Sequence, residues 1–174
     1  MRREYHDRRR AQAVRVKGLS FLPVTLTVIA LDQLTKHMIT QHLQLYDVRP
    51  VLPVLDLTLM YNTGAAFSML AMAGGWQHWL FVALALVVSG AIVVALYRMR
   101  APVQPLLASG LTLILGGALG NVIDRLRFGH VIDFIYAHWG THYFPAFNVA
   151  DSAISVGAAL LLLDALLEPR RAAA

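Results

Sequence analysis

Four stretches of this chain stay apolar for the length of a membrane span, and the chemically versatile residues crowd into the segments between them. A helix needs about 20 predominantly apolar residues to cross a bilayer. The runs at about 19–37, 79–97, 103–123 and 151–167 each come close to that length. With short connections they take up nearly all of the 174 residues, so a single membrane-embedded domain over 1–174 is expected, with no separate soluble unit. Composition agrees: 57% of residues are hydrophobic and 14% charged, against about 25% charged in an ordinary soluble domain. The expected class is an all-α integral membrane protein with four transmembrane helices.

The first run, from Leu19, imitates a secretory leader because the arginine-rich arm 1–17 precedes it. It carries Pro23, however, and continues into Asp32, Gln33 and Lys36 without a small-residue cleavage site, which makes it a retained span. The second run holds no ionisable residue and reads as a lipid-facing helix. The third contains Gly110, Gly116, Gly117 and Gly120 beside Ala108, Ser109 and Ala118. Small residues let neighbouring helices approach closely, so this span should be the packing centre.

A net charge of +5 is compatible with nucleic-acid binding, but the placement of the charges argues for topology instead. Seven of the fifteen Lys and Arg residues lie within 1–17, Arg98 and Arg100 sit between the second and third spans, and Arg170 and Arg171 close the chain. Cytoplasmic flanks are enriched in Lys and Arg, so both termini should be cytoplasmic and no nucleic-acid partner is expected. Segments 36–76 and 125–150 then face the other side, the periplasm of a Gram-negative cell. The alternation around Val51 to Tyr61 has strand character, giving a small β-like segment between the first two spans. Trp76, Trp79, Tyr136, Trp139 and Tyr143 suit an interfacial aromatic belt.

Ionisable residues at a membrane boundary are costly and point to function. Asp32, Lys36, Asp124, Arg125, Asp133 and Asp151 are the candidates, most of them placed near one face by this topology. Cysteine is absent, which removes disulfides, thiol catalysis and zinc–thiolate sites. A pair of adjacent carboxylates supplies chemistry without a metal or a nucleophilic side chain: one keeps a proton as acid, and the other activates water. Asn121, Asp124 and Arg125 share a helix face, so Asp124 has Arg125 at hand as a cation and suits structural service. Asp133, between Ile132 and Phe134, is set for desolvation, and Asp151, opening the fourth span, fits an N-cap as well as catalysis.

At this point ordered motifs add a resemblance. Asp32-Gln33-Leu34-Thr35-Lys36, Asn62-Thr63-Gly64-Ala65-Ala66-Phe67-Ser68, Gly116 through Arg125, Val131-Ile132-Asp133-Phe134 and Phe147-Asn148-Val149-Ala150-Asp151 are similar to the motifs of lipoprotein signal peptidases (signal peptidase II), in order. The resemblance implies an aspartic endopeptidase with Asp133 and Asp151 as its dyad, Asp124 remaining an alternative partner for Asp151. It implies supporting or substrate-binding roles for Asn62, Gly64, Asn121, Asp124, Arg125, Asn148 and Ala150, and structural roles for Asp32 and Lys36. The implied substrates are prolipoproteins whose cysteine carries diacylglycerol, cut before that cysteine, at the periplasmic face of the bacterial inner membrane. No cofactor or metal is implied. A monomer in contact with membrane phospholipids is expected, with globomycin-type cyclic peptides as the inhibitor class and the outer segment after the first span as a lid.

Competing readings fare worse. An ion path through Asp32, Asp124, Asp133 and Asp151 needs acidic residues at several depths, and the second and third spans have none at mid-membrane. A metallopeptidase built on His130, His138 and His142 with Asp133 lacks a His-Glu-x-x-His pattern. Ser68, Ser152 and Ser155 have no His or Lys at a suggestive spacing, so helix packing is the expected role. Asp164 and Glu168 are expected to pair with Arg170 or Arg171 or to meet water.

Overall fold

The computed structural model describes residues 18–64, 75–99 and 104–172, with side chains as far as Leu167. The basic arm, residues 65–74 with Ala65 to Ser68 and part of the expected lid, and Arg100 lie outside these. A short 3-10 turn, Gly18–Phe21, leads into α1 (Leu22–His42); the other helices are α2 (Trp76–Arg98), α3 (Pro105–Phe128) and α4 (Val149–Ala172). All four are long and apolar enough to cross a membrane. Pro23 and Pro105 stand in the first turns of α1 and α3, where a missing N–H forfeits no helical hydrogen bond. Gly129 ends α3 at φ 78°, a left-handed conformation that a Cβ would strain, and its N–H reaches Arg125 O at 2.9 Å.

Each helix extends beyond its hydropathy-based limit at the end that carries the polar motifs: α1 to His42, α3 to Phe128, with α2 starting at Trp76 and α4 at Val149. Backbone hydrogen bonding in α3 continues through Asp124 and Arg125, whose charges find partners that hydropathy does not register.

α3 is the hub, as its small residues predicted. It packs against α1, α2 and α4, and 56% of its most apolar window is buried, against 22% for each of the others. A Cβ on Gly116 would stand 2.7 Å from Val28 Cβ, and one on Gly117 would collide with the Ala150 carbonyl. Thr25 Oγ1 donates to Thr112 O across the α1–α3 contact at 2.9 Å. Leu26, Val87 and Leu162 point outward and stay exposed, as lipid-facing side chains do.

Strand structure is wider than predicted: the β-like segment expected between the first two spans is joined by strands from the segment between α3 and α4. β1 (Val48–Leu52), β2 (Leu55–Asn62), β3 (Val131–Trp139) and β4 (His142–Tyr143) form one antiparallel sheet in the order β1-β2-β3-β4. β3 and β4 come from the segment between α3 and α4, where Val131, Ile132, Asp133 and Phe134 are buried in succession and hide the two-residue alternation. Register pairs Met60 with Asp133 and Asn62 with Val131. Phe147 bridges to Ile135, its N–H donating to Ile135 O at 3.0 Å and its carbonyl accepting from Ile135 N at 2.8 Å. That bridge draws the start of α4 to β3.

Candidate active site

Because Phe147 is tied to β3, Asn148 and Asp151 arrive beside Asp133. Asn148, just before α4, accepts the Asp151 N–H on its side-chain oxygen at 2.8 Å, while Asp151 Oδ2 accepts the Asn148 N–H at 3.3 Å. This is a reciprocal capping box. Asn148 is therefore the cap and Asp151 stands in the first turn, which replaces the N-cap reading of Asp151 and leaves its Oδ1 for other contacts. That oxygen accepts from Asn121 Nδ2 at 2.8 Å. Asp133 accepts from Asn148 Nδ2 at 2.7 Å on Oδ1 and from Asn62 Nδ2 at 3.0 Å on Oδ2. Both carboxyl groups line a cavity of about 1050 Å³ together with Asn62, Gly64, Asn121 and Arg125. Burial, and then the neighbouring Asp151 carboxylate, push Asp133 up to about 7, against the opposing pull of the Asn62 and Asn148 amides and Lys36.

Beside it lies a second, buried group. Lys36 Nζ is 2.8 Å from Asp32 Oδ2 and 2.7 Å from Asp124 Oδ2, and it donates to Asn121 Oδ1 at 3.2 Å. The cation expected for Asp124 was Arg125; the structure supplies Lys36 instead, because α1 lies against the same α3 face. Asp124 also accepts the Ile132 N–H at 3.2 Å, and Asp32 accepts the Ala150 N–H at 2.9 Å. Sequence reading assigned no role to Gln33. Its amide donates to Asp124 Oδ1 at 2.8 Å and to Gly120 O at 3.3 Å, and its position three residues before Lys36, on the same α1 face, was the available signal. Arg125 turns the other way, donating to Gly64 O at 3.2 Å with its guanidinium over the Phe81 ring at 5.4 Å. Gly64 N–H in turn donates to Asn62 Oδ1 at 3.0 Å, so the loop start is locked to the Asn62 that holds Asp133.

Other candidates disperse. His130 stacks on Tyr61 with ring centroids 4.0 Å apart, and His138 faces Asp56. Among the described residues no cluster of metal-ligating side chains forms. Ser152 donates its hydroxyl to Asn148 O at 2.9 Å; Ser155 lines the cavity, and Ser68 is outside the described residues. Asp164 is buried rather than meeting water, while the side chains of Glu168, Arg170 and Arg171 are outside the described ones. Trp76, Trp79, Trp139 and Tyr143 are exposed as an aromatic belt requires, while Tyr136 and Tyr143 also line the cavity.

Four membrane-length helices with buried carboxylates and amides around a cavity under a small sheet describe a multi-pass membrane enzyme. The sequence model for signal peptidase (SPase) II matches residues 24–167. The lipoprotein signal peptidase of Acinetobacter baylyi is 50% identical over 156 residues, covering 88% of this chain and 86% of its own. That of Pseudomonas aeruginosa (strain UCBPP-PA14) is 53% identical over 148 residues, covering 84% and 87%. A bacterial membrane enzyme solved by the in meso method at 2.3 Å resolution superposes with a TM-score of 0.75 at 30% identity, covering 86% of this chain and 88% of that one. The chain belongs to the signal peptidase II family, and its class of activity is that of a protease.

Proposed function

We propose that the protein is an aspartic endopeptidase that removes signal peptides from diacylglyceryl-modified prolipoproteins, cutting before the lipidated cysteine with Asp133 and Asp151 as its dyad. The observation that carries this reading is Asn148: one residue holds both carboxyl groups, its side-chain N–H on Asp133 and its backbone N–H on Asp151. Asp133, raised to about 7 by burial and by Asp151, is the member that holds a proton near neutrality. Asp151, whose carboxyl accepts N–H groups from Asn121 and Asn148, is assigned by this reading as the partner that takes the proton from water.

Asp151 takes a proton from a water as the water oxygen bonds to the scissile carbonyl carbon, and Asp133 gives its proton to the developing oxyanion. Collapse returns that proton to Asp133 and re-forms the carbonyl, while the proton on Asp151 passes to the departing amide nitrogen as the C–N bond breaks. Asn62, Asn121 and Asn148 hold the two acids in place, and Arg125 lines the cavity where the substrate backbone or lipid headgroup would lie. Lipid anchors fix the scissile bond at the depth of the dyad, which removes much of the entropic cost of alignment. The reading places the protein as a monomer in a bacterial inner membrane among its phospholipids, termini cytoplasmic and cavity periplasmic, with globomycin-type peptides as competitors.

The test is cleavage of a diacylglyceryl-modified prolipoprotein in detergent. Asp133→Asn and Asp151→Asn each should keep their helical circular dichroism and lose roughly 10²–10⁴-fold in rate. Folded Asp124→Asn should retain turnover; a dead Asp124→Asn beside an active Asp133→Asn would make Asp124 the partner.

A further inference from the structure

A second, smaller cavity of about 250 Å³ opens between α1 and α3, on the other side of β3 from the dyad. Successive residues of a strand point to opposite faces, so Ile132 lines this cavity while Asp133 lines the larger one. Tyr61 alone borders both. The buried part is closed to further ligands. Lys36 spends its three N–H groups on Asp32, Asp124 and Asn121. Asp124, the carboxylate in the lining, accepts from Gln33 on Oδ1 and from Lys36 and the Ile132 N–H on Oδ2.

The mouth carries donors without acceptors. Arg127 from α3, His37 from α1 and Tyr61 from β2 all line the cavity and are exposed. Among the described residues Arg127 meets no carboxylate, and its guanidinium lies over the Phe128 ring, 4.8 Å from the centroid. Phe128, His130 and Tyr61 continue that wall, with centroids 6.1 Å and then 4.0 Å apart. A guanidinium is always charged and its fork matches a phosphate, while an imidazole N–H and a phenol O–H each add a donor. Depth and surroundings decide what would carry that phosphate. At about 1.5 Å per residue α3 rises about 33 Å from Pro105 to Arg127, close to the hydrocarbon thickness of about 30 Å, so the mouth stands at headgroup level. Leu34 and Met38, beside His37 on α1, and Leu126, beside Arg127 on α3, are exposed apolar side chains at its flanks.

We propose that this cavity is a phospholipid site, in which Arg127, with His37 and Tyr61, holds the headgroup phosphodiester while the acyl chains lie along the lipid-facing sides of α1 and α3. A basic pocket between spans is suited to a lipid headgroup. The site is separate from the dyad and does not depend on the peptidase reading. A lipid seated there bridges α1, α3 and β2, and so ties the base of the sheet to two of the helices that carry it.

The full chain, delipidated in detergent, is titrated with dioleoyl phosphatidylglycerol, with dioleoylglycerol, which has the same chains and no phosphate, and with glycerol phosphate, which has the phosphate and no chains. Native mass spectrometry counts the retained lipid, and the unfolding midpoint is followed in parallel. Phosphatidylglycerol should bind saturably and raise the midpoint, as a ligand of the folded state does, and the other two should do neither. Arg127→Gln should weaken that binding about tenfold or more, the loss of a charge-assisted hydrogen bond, and His37→Leu about fivefold, the loss of a neutral one. Arg98→Gln removes the same charge from an exposed position at the opposite end of the helices and should bind as wild type does. Wild-type binding by Arg127→Gln, or an equal loss in Arg98→Gln, overturns the site. Equal protection by glycerol phosphate overturns the lipid as its source, and equal binding of dioleoylglycerol overturns phosphate recognition. Should Arg127→Gln not fold, unchanged binding by His37→Leu, on the facing helix, overturns the proposal in its place.

Discussion

Asp133 is held in a state that the unfolded chain does not share. Its carboxyl titrates at about 7 in the fold and at 3.8 when unperturbed. Below the lower value both states are protonated, and above the higher both are ionised. Between them the folded protein keeps a proton that the unfolded chain has released, so stability falls as pH rises from about 4 to about 7, by at most about 4 kcal/mol. Unfolding titrations in detergent of wild type and Asp133→Asn should show the difference between them moving in favour of the variant across that window. Cleavage should weaken above about pH 7, where Asp133 gives up the proton it supplies to the oxyanion; a kcat/KM profile flat from pH 6 to about 9 would contradict that role. At Lys36 the expected effect is on folding. Lys36→Met leaves Asp32 and Asp124, 0% and 1% exposed, without their cation, and removing one partner from a buried pair costs about 3–5 kcal/mol. The loss should appear as a lower midpoint of detergent unfolding. Sequence alone placed these aspartates near one face and separated Asp133 from Asp124 by their neighbours. It did not reveal that Lys36 serves both Asp32 and Asp124, since that contact joins residues 88 positions apart on two helices.

Helix packing was legible because its signal is local: Gly110, Gly116, Gly117 and Gly120 recur on α3, and α3 became the hub. The sheet was legible only where one face is wet. β2 alternates burial along part of its length, whereas the first four residues of β3 are all buried, and nothing in them separates a strand from a helix. The α3–α4 contact yields a sharp comparison. A Cβ on Gly117 meets the Ala150 carbonyl and Ile154, and Ala150 itself is fully buried next to the residue proposed as the base. A Cβ on Gly90 of α2 meets nothing within 4 Å. Gly117→Ala should therefore destabilise by about 1–3 kcal/mol, as overpacking does, and lower cleavage by displacing Asp151; Gly90→Ala should leave both within error. Detergent unfolding and prolipoprotein turnover check the pair together. Equal behaviour of the two would mean that α4 shifts freely against α3 and that the capping box is not fixed by that contact.

Across the whole molecule, the sheet, the cavity and the ion-paired groups gather at one end of the four helices, while Arg98, the 3-10 turn and the far end of α4 lie at the other. The basic residues at 1–17, 98–100 and 170–171 are the ground for proposing that this other end faces the cytoplasm. On that proposal the Asp133–Asp151 pair faces the side on which lipid-anchored precursors emerge. The absence of cysteine makes this directly measurable, because any introduced thiol is unique. Gly140, exposed in the β3–β4 turn, and Met99, just beyond α2, mark the two ends. In intact cells with a permeabilised outer membrane, a membrane-impermeant maleimide should label Gly140→Cys at once and Met99→Cys only after the inner membrane is broken. The reverse labelling would set the cavity facing the cytoplasm, where the lipid-modified cysteine of an exported precursor never arrives, and would remove the topological basis of the proposed reaction even if both carboxylates proved essential.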